Sequence, residues 1–329
     1  MTSYRRIALV VAAVLCTPVA RAQSSPRPLP SSRLAVRVDG RWHDWWSGDA
    51  APTRWRGSRV DAVLARGAQW KRAAPGVDWT ELELAGTGEA WRTRLVVARL
   101  DPAVLRLGLV KDNGVRADWR VQQAPSEAAF AVNAGQFIES MPWGWVVLDG
   151  EEHLSPMHGP LSTAVVIDSA GAVHWLHGDS LWHERPRGVR WAFQSYPTLL
   201  SGGEVPAALR SDAGALDVTH RDARAAIGRL ADGRLIVALT RFDALGGSLG
   251  FVPFGLTVPE MAAVMGAFGA RDAVLLDGGI SAQMLVREVG GATHTWSALR
   301  AVPLALVAYP RRETVVTRPP AARTTRSPQ

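Results

Sequence analysis

Short strand-like runs, each closed by a tight turn, recur along most of this chain and restrict it to a strand-rich fold. Residues 80–84 alternate between polar and apolar side chains, and residues 91–100 and 104–110 form two further runs on either side of Asp101-Pro102. Runs of this length between turn formers are typical of paired β-strands. Further runs cover residues 127–132, 145–148, 164–167, 173–176 and 235–240, and hairpin-type turns lie at 149–150, 169–171 and 232–233.

One segment departs from this pattern and predicts an α-helix. Thr257 suits an N-cap, Pro259 suits the first turn, and Glu260 completes the pattern of a capping box. Gly269 is a stop signal, and an apolar strand at residues 273–276 follows it. Because a helix that feeds a buried strand indicates helices packed on a sheet, we predict an α+β fold, with a mixed twisted β-sheet and packed helices in a single main domain.

The first 22 residues have the features of a secretory signal peptide. Arg5 and Arg6 precede an apolar run at residues 7–16, and residues 20–22 read Ala-Arg-Ala, which is typical of a cleavage site. We therefore predict export to the periplasm or the exterior, with a mature chain that begins at Gln23. No later apolar run is long enough to span a bilayer, so we expect no membrane anchor after cleavage.

Composition excludes several classes of function. Cys16 is the only cysteine and lies in the signal segment, so the mature chain would have no disulfide, thiolate nucleophile or cysteine-ligated zinc. The formal charge is +7, but arginine supplies most of it and is spread along the chain. A nucleic-acid partner is therefore not indicated, although some arginines could serve an anionic substrate.

The mature chain divides into three parts. Residues 23–75 contain a Pro/Ser-rich linker and a Trp-rich extension, residues 76–310 form the main domain, and residues 311–329 are a disordered basic tail. The indole rings of the extension either offer a sugar-stacking surface or pack onto the main domain, and we favour packing. These rings belong to Trp42, Trp45, Trp46, Trp55 and Trp70.

Three strand-like runs end in a polar residue followed by glycine or another turn former, at residues 133–135, 201–203 and 277–279. Glycine lets the backbone approach a ligand, and loops at strand ends are the usual places for functional sites. Arg224 precedes another strand, and His220 lies just upstream as either a general acid or base or a structural histidine. Together these residues predict a functional site around the turn that begins at Asp277.

Five short motifs follow one another along the chain. They are Asn-Ala-Gly-Gln-Phe at 133–137, Phe-Gln-Ser-Tyr-Pro-Thr-Leu at 193–199, Arg-Ala-Ala-Ile-Gly at 224–228, Gly-Leu-Thr-Val-Pro-Glu-Met-Ala at 255–262 and Leu-Asp-Gly-Gly-Ile-Ser at 276–281. This ordered set resembles the phosphodiester glycosidase domain family, over about residues 76–310. The resemblance implies a hydrolase that releases a sugar from a sugar-1-phosphodiester, which for an exported protein suggests an envelope glycan or exopolysaccharide.

The resemblance also implies roles for individual residues. Asp277 is a candidate nucleophile, general base or metal ligand, and Arg224 is a candidate clamp for the phosphate. Asn133 and the backbone amides of Gly278 and Gly279 could form an anion-binding nest. Further candidates for substrate binding are Ser195, His220, Ser281 and Gln283, while Glu260 is either a second carboxylate or a helix cap. A divalent cation at oxygen ligands of this site stays open as a cofactor.

Two rival functions stay open at this point. One is a serine-type hydrolase that uses Ser195, His220 and Asp277 as a triad, although Ser195 lacks the Gly-x-Ser-x-Gly elbow. The other is a non-catalytic protein that binds envelope polysaccharide or assists its assembly. Departures from the family pattern at Ala134, Gln136, Tyr196, Ala225 and Ile280 keep the second alternative open and suggest an altered substrate pocket.

Overall fold

The structure is a computed structural model that describes residues 32–56, 60–111, 118–159, 161–211, 216–244, 249–250 and 252–311. The predicted signal peptide with Cys16, most of the predicted linker, and all but the first residue of the predicted tail lie outside the described residues.

In chain order, the strands are β1 (Arg33–Val38), β2 (Arg41–Ser47), β3 (Lys71–Ala74), β4 (Val77–Gly86), β5 (Thr93–Leu100), β6 (Leu105–Lys111), β7 (Phe130–Asn133), β8 (Phe137–Ile138), β9 (Met141–Pro142), β10 (Val146–Leu148), β11 (Glu151–Leu154), β12 (Thr163–Asp168), β13 (Val173–His177), β14 (Val189–Ser195), β15 (Thr198–Leu200), β16 (Ala225–Leu230), β17 (Leu235–Phe242), β18 (Ala270–Leu276), β19 (Met284–Arg287), β20 (Thr293–Trp296) and β21 (Leu304–Pro310). The α-helices are α1 (Ala62–Gly67) and α2 (Val258–Ala267).

Three sheets and a small hairpin contain these strands. The largest sheet has nine strands in the order β15-β18-β16-β17-β5-β4-β1-β2, with β3 also paired to β4. The two five-stranded sheets have the orders β11-β10-β14-β12-β13 and β20-β19-β7-β21-β6, and β8 pairs with β9 alone. Every strand pair in the described part of the chain is antiparallel.

The prediction of an α+β fold with a mixed sheet and packed helices is therefore wrong, because the fold is mostly antiparallel β. The described residues contain two α-helices, of six and ten residues. The predicted helix–strand unit does exist, but β18 lies between β15 and β16 and runs antiparallel to both. The choice of partner strand depends on residues far along the chain, so the local pattern did not contain it.

The middle of the nine-stranded sheet is buried on both faces. Along β17, Ile236 and Ala238 belong to one apolar cluster, whereas Val237 and Leu239 belong to another. Since successive side chains of a strand point to opposite faces, the two clusters lie on opposite sides of the sheet. The first cluster includes the apolar residues of α2, and the second includes residues of the two five-stranded sheets, such as Phe193.

Helix α2 begins and ends where the sequence predicts. The Thr257 hydroxyl accepts a hydrogen bond from the N of Glu260 at 3.3 Å, and the Glu260 carboxylate accepts one from the N of Thr257 at 2.9 Å. These two bonds form the predicted capping box. The helix ends before Gly269, whose φ of 90° is readily adopted only by glycine. Neither α-helix of the described chain is long and apolar enough to cross a membrane.

Most of the tryptophans of the N-terminal extension pack against the first apolar cluster. Trp46 is buried in it, and Trp45, Trp55 and Trp70 pack on it while partly buried. The packing interpretation is confirmed for these four rings, whereas Trp42 is 51% exposed. Strands β1 and β2 also extend the nine-stranded sheet, so this segment adds both backbone pairing and apolar contact.

We predict that Gly266→Ala destabilises the fold. A Cβ at Gly266 would lie 2.3 Å from Cγ of the Trp55 ring, so the ring would have to move. We expect a loss of about 1–3 kcal/mol in the free energy of unfolding, measured by urea denaturation. This is opposite in sign to the gain of up to about 1 kcal/mol that alanine usually gives over glycine in a helix.

The matched background for this test is Trp55→Ala. Without the Trp55 ring, the new Cβ of Gly266→Ala meets no close contact from it. The same substitution should then leave the free energy of unfolding unchanged or increase it. A Gly266→Ala variant that is more stable than the wild type, or an equal loss in both backgrounds, would show that the Trp55 contact does not limit the helix.

Candidate active site

Three consecutive backbone carbonyls, of residues 275–277, each accept a hydrogen bond from a side chain of another segment. Ser195 Oγ donates to the first at 2.5 Å, Gln136 Nε2 to the second at 3.1 Å and Asn133 Nδ2 to the third at 2.8 Å. The N of Asp277 also donates to the carbonyl of Gly135 at 2.9 Å. These bonds bring the ends of β7, β14 and β18 together, although they are far apart in sequence.

Two of the predicted site residues position the loop that carries Asp277. Asn133 is fully buried, and its Oδ1 accepts a hydrogen bond from the N of Gln283 at 3.0 Å. The side chain of Gln283 is also buried, and its Oε1 accepts a hydrogen bond from the N of Val121 at 2.8 Å. Both amides are thus engaged by the backbone, so we assign them to holding the loop and not to contacting a ligand.

The surroundings of the Asp277 carboxylate shift its pKa strongly. Burial raises its pKa to about 6, and the nearby negative charge of Asp222 acts in the same direction. A hydrogen bond to the Ser281 side chain, the positive charge of Arg300 and the N–H of Gly278 act in the opposite direction. At neutral pH this carboxyl is mostly ionised and remains basic enough to accept a proton, as a general base requires.

Asp222 is a second carboxylate at the site, and it was not among the residues predicted from the sequence. Its Oδ1 accepts a hydrogen bond from the next backbone N–H at 2.8 Å. A Cβ at Gly279 would lie 3.0 Å from Oδ2, so the carboxylate packs closely against this glycine. Burial raises the pKa of Asp222, while the charges of Arg224 and His220 oppose the rise.

Arg224 precedes β16, and two backbone carbonyls hold its guanidinium. Nε donates to Leu256 at 2.9 Å and Nη2 donates to His220 at 2.7 Å. Burial lowers the pKa of this guanidinium, and the charge of Asp222 is the largest of those that oppose the effect. Nη1 has no hydrogen-bond partner among the described residues, so this nitrogen can donate to an anion.

The predicted serine triad is not assembled. Ser195 is fully buried, and its hydroxyl donates to the Leu275 carbonyl. The His220 side chain is 62% exposed, and its Nε2 lies 3.9 Å from Oδ2 of Asp222. His220 therefore lies beside Asp222 at the rim of the site, and Ser195 serves to join β14 to β18.

The two predicted nest amides are used within the protein. The N of Gly279 donates to the Ala223 carbonyl at 2.7 Å, and the N of Gly278 bonds the Asp277 carboxylate. Positive charge near Asp277 comes instead from Arg300, whose Nη2 donates to the carbonyl of Glu139 at 3.2 Å. Arg300 was also missed, because it lies in an irregular stretch after β20, outside every motif.

A sequence model of the phosphodiester glycosidase family matches residues 126–309. The match covers more than half of the chain and includes Asp277, Asp222, Arg224 and Arg300. The chain belongs to the phosphodiester glycosidase family. The family expectation drawn from the five motifs is thereby confirmed.

One solved structure shows a related fold. The catalytic domain of zebrafish N-acetylglucosamine-1-phosphodiester alpha-N-acetylglucosaminidase is similar with a TM-score of 0.53 and 16% identity, over 74% of this chain and 87% of that chain. A hypothetical protein from Synechocystis gives a TM-score of 0.48 and 15% identity, over 74% of this chain and 64% of that chain, so the chain spans less than two thirds of that protein. No curated protein matches the chain.

Within this family member, Glu260 is committed to a structural role. Its buried carboxylate pairs with both terminal nitrogens of Arg221, at 2.6 and 2.7 Å, in addition to capping α2. The cap reading of Glu260 is therefore confirmed, and the second carboxylate at the site is Asp222.

The candidate cation ligands at this site are Asp222 and Asp277. In the described ranges, no three His, Cys, Asp or Glu side chains cluster in a way that would hold a metal ion. A divalent cation at this site would need further ligands from backbone carbonyls, water or substrate, so metal dependence stays a prediction to be tested.

We predict that Asp277→Asn increases stability at neutral pH. Burial raises the pKa of the Asp277 carboxyl from 3.8 to about 6, so the folded state binds this proton more tightly than the unfolded chain does. The resulting loss of stability is absent below about pH 3.8 and complete above about pH 6. There it amounts to roughly 2–3 kcal/mol, which asparagine would recover.

The matched control is Asp168→Asn, which should behave in the opposite way. Hydrogen bonds from His174 and from the backbone N–H groups of residues 170 and 172 lower the pKa of Asp168. Its removal should therefore reduce stability at neutral pH, with the loss disappearing in acid. Urea denaturation from acid to mildly alkaline pH measures how the free energy of unfolding of each variant depends on pH. If the free energies of unfolding of Asp277→Asn and the wild type differ by the same amount at every pH in this range, the environment assigned to Asp277 is contradicted.

Proposed function

We propose that this protein hydrolyses sugar-1-phosphodiesters, releasing the sugar and a phosphate monoester. The observation that carries the proposal is the Asp277 carboxylate, whose pKa burial raises to about 6 and which lies near Arg300 and Asp222. Membership of the phosphodiester glycosidase family supports the same reaction class. A carboxyl with this pKa is suited to proton transfer near neutral pH.

In the proposed reaction, water attacks the anomeric carbon while the bond from that carbon to the phosphate oxygen breaks. The bonding electrons leave with the phosphate, which is a good leaving group and needs little protonation. Asp277 takes the proton of the attacking water and later returns it to solvent. One C–O bond forms and one breaks, so the step balances without a further reactant.

The charged side chains around Asp277 have distinct tasks in this proposal. Arg224, with Nη1 free to donate, and the exposed Arg300 neutralise the phosphate as negative charge develops on it. The negative charge of Asp222 disfavours ionisation of Asp277 and so raises the pKa of Asp277. The carboxylate of Asp222 can also stabilise the positive charge that develops on the sugar ring.

We further propose that the reaction takes place outside the cytoplasm, on a phosphodiester-linked glycan of the cell envelope or an exopolysaccharide. The signal-like pattern of residues 1–22 supports export. The similar zebrafish domain is named for N-acetylglucosamine-1-phosphodiester, so N-acetylhexosamine diesters are the first substrates to test.

We predict that Asp277→Asn lowers kcat on sugar-1-phosphodiesters by about 10²–10⁴, the usual contribution of a general base. Arg224→Ala should lower kcat/KM by about 10²–10³ because it removes a donor to the developing phosphate charge. Release of sugar from a panel of synthetic hexose and N-acetylhexosamine diesters measures both effects, with and without added divalent cation or chelator.

The matched control is Arg229→Ala. Arg229 lies at the opposite end of β16 from Arg224, where it pairs with Asp272 at 2.6 Å. It should retain nearly full activity. If the wild type releases sugar from no member of the panel, or if the Asp277 and Arg224 variants match Arg229→Ala, the proposed reaction is incorrect.

We predict that the acid limb of kcat/KM lies near the pKa of Asp277, about 6. Activity should rise with pH through this value because the base must be ionised. Asp222→Asn removes a negative charge that raises the pKa of Asp277, so the limb should move to lower pH. Asp232→Asn, in the turn between β16 and β17, is the control and should leave the limb in place. If Asp222→Asn leaves the acid limb of kcat/KM at the same pH, the two carboxylates are not coupled.

A further inference from the structure

Tyr196 is exposed within a segment that is otherwise buried. Residues 192–195 and 197–200 are buried, whereas Tyr196 is 37% exposed. Exposing an aromatic ring gives up apolar burial, and tyrosine combines an apolar face with a polar hydroxyl. The phenol finds no hydrogen-bond partner among the described residues. Both its ring surface and its hydroxyl are therefore available to a ligand.

The ring of Tyr196 is held in place. It makes an edge-on contact with the ring of Trp143, at 4.6 Å between centroids and an interplanar angle of 63°. Trp143 is itself buried, and its ring also lies close to Gly159, where a Cβ would be 3.2 Å away. A ligand that packs on Tyr196 would lose little entropy in ordering the ring.

Tyr196 is joined directly to the backbone that carries Asp277. One nitrogen, Nε2 of Gln136, donates to the carbonyl of Tyr196 at 3.0 Å and to the carbonyl of Leu276 at 3.1 Å. The carbonyls of Tyr196 and Leu276 therefore share one donor. Leu276 immediately precedes Asp277 in the chain. The exposed ring and the proposed catalytic carboxylate therefore start from adjoining points of the backbone.

We propose that Tyr196 forms one wall of a pyranose-binding subsite beside Asp277 and contributes to the choice of sugar. The C–H face of a pyranose is apolar and packs on aromatic rings, while its hydroxyls can bond the free phenol. This inference rests on the proposed function, because it identifies the ligand of the same site. Tyr196 binds the sugar and takes no part in breaking the bond.

The kinetic test compares Tyr196→Ala, Tyr196→Leu and Tyr196→Phe on the panel of sugar-1-phosphodiesters. Removal of the ring should lower kcat/KM by about tenfold, mainly through KM, since stacking holds substrate and transition state alike. Tyr196→Phe keeps the stacking face and should stay within about threefold of the wild type. The matched control is Trp42→Ala, because Trp42 is 51% exposed on β2, the edge strand farthest from β18 in sheet order.

A binding measurement separates this inference from the proposed reaction. Ligand-observed NMR with hexose 1-phosphates and N-acetylhexosamine 1-phosphates should show about tenfold weaker binding to Tyr196→Leu, while thermal unfolding shows that the variant is folded. If the wild type hydrolyses the panel and Tyr196→Leu matches it in KM and in binding, the subsite is refuted and the reaction stands. If the wild type hydrolyses nothing but binds sugar phosphates in a Tyr196-dependent way, the subsite stands and the reaction is refuted. An equal loss in Tyr196→Phe and Tyr196→Leu would also refute stacking.

Discussion

The hydrogen bonding of the end of β18 is the constraint on which the site depends. Carbonyls 275–277 accept bonds from Ser195, Gln136 and Asn133, while the N of Asp277 bonds Gly135. An unsatisfied carbonyl in such a buried place would cost about 1–3 kcal/mol, so each bond matters to stability. The same bonds join strands of different sheets and fix the point at which the chain leaves β18. The carboxylate of Asp277 is therefore held by a rigid backbone.

This arrangement places stability and function in opposition. Burial raises the pKa of both Asp277 and Asp222, which means that ionising either one destabilises the folded state. The arginines nearby, Arg300 and Arg224, only partly offset the effect. Proton transfer from water requires a basic, desolvated carboxylate. The energetic cost of ionising these buried carboxylates therefore agrees with the proposed reaction.

Local features of the fold were predictable, whereas neither the full set of charged groups around Asp277 nor the contacts of each predicted residue were. The capped helix α2 and the apolar strand after it were predicted from neighbouring residues, because capping and side-chain periodicity act over a few positions. Asn133 and Ser195 were predicted to belong to a site around Asp277, and the structure brings both side chains to the backbone at the end of β18. However, Asn133 and Ser195 bond the backbone, since the orphaned carbonyls they satisfy arise only when distant strands meet.

The sequence by itself determined part of the strands, such as β5, β12 and β17, where α2 begins and ends, and to which family the chain belongs, but it did not predict β1 and β2 of the N-terminal extension. Each of these depends on residue type and on spacing along the chain. Only the tertiary structure decided that the sheets are antiparallel, since strand partners are chosen through contacts between distant segments. Only the tertiary structure brought Asp222 and Arg300 to Asp277, and the pKa of that carboxyl follows from burial and neighbouring charge. Neither burial nor neighbouring charge exists until the chain has folded.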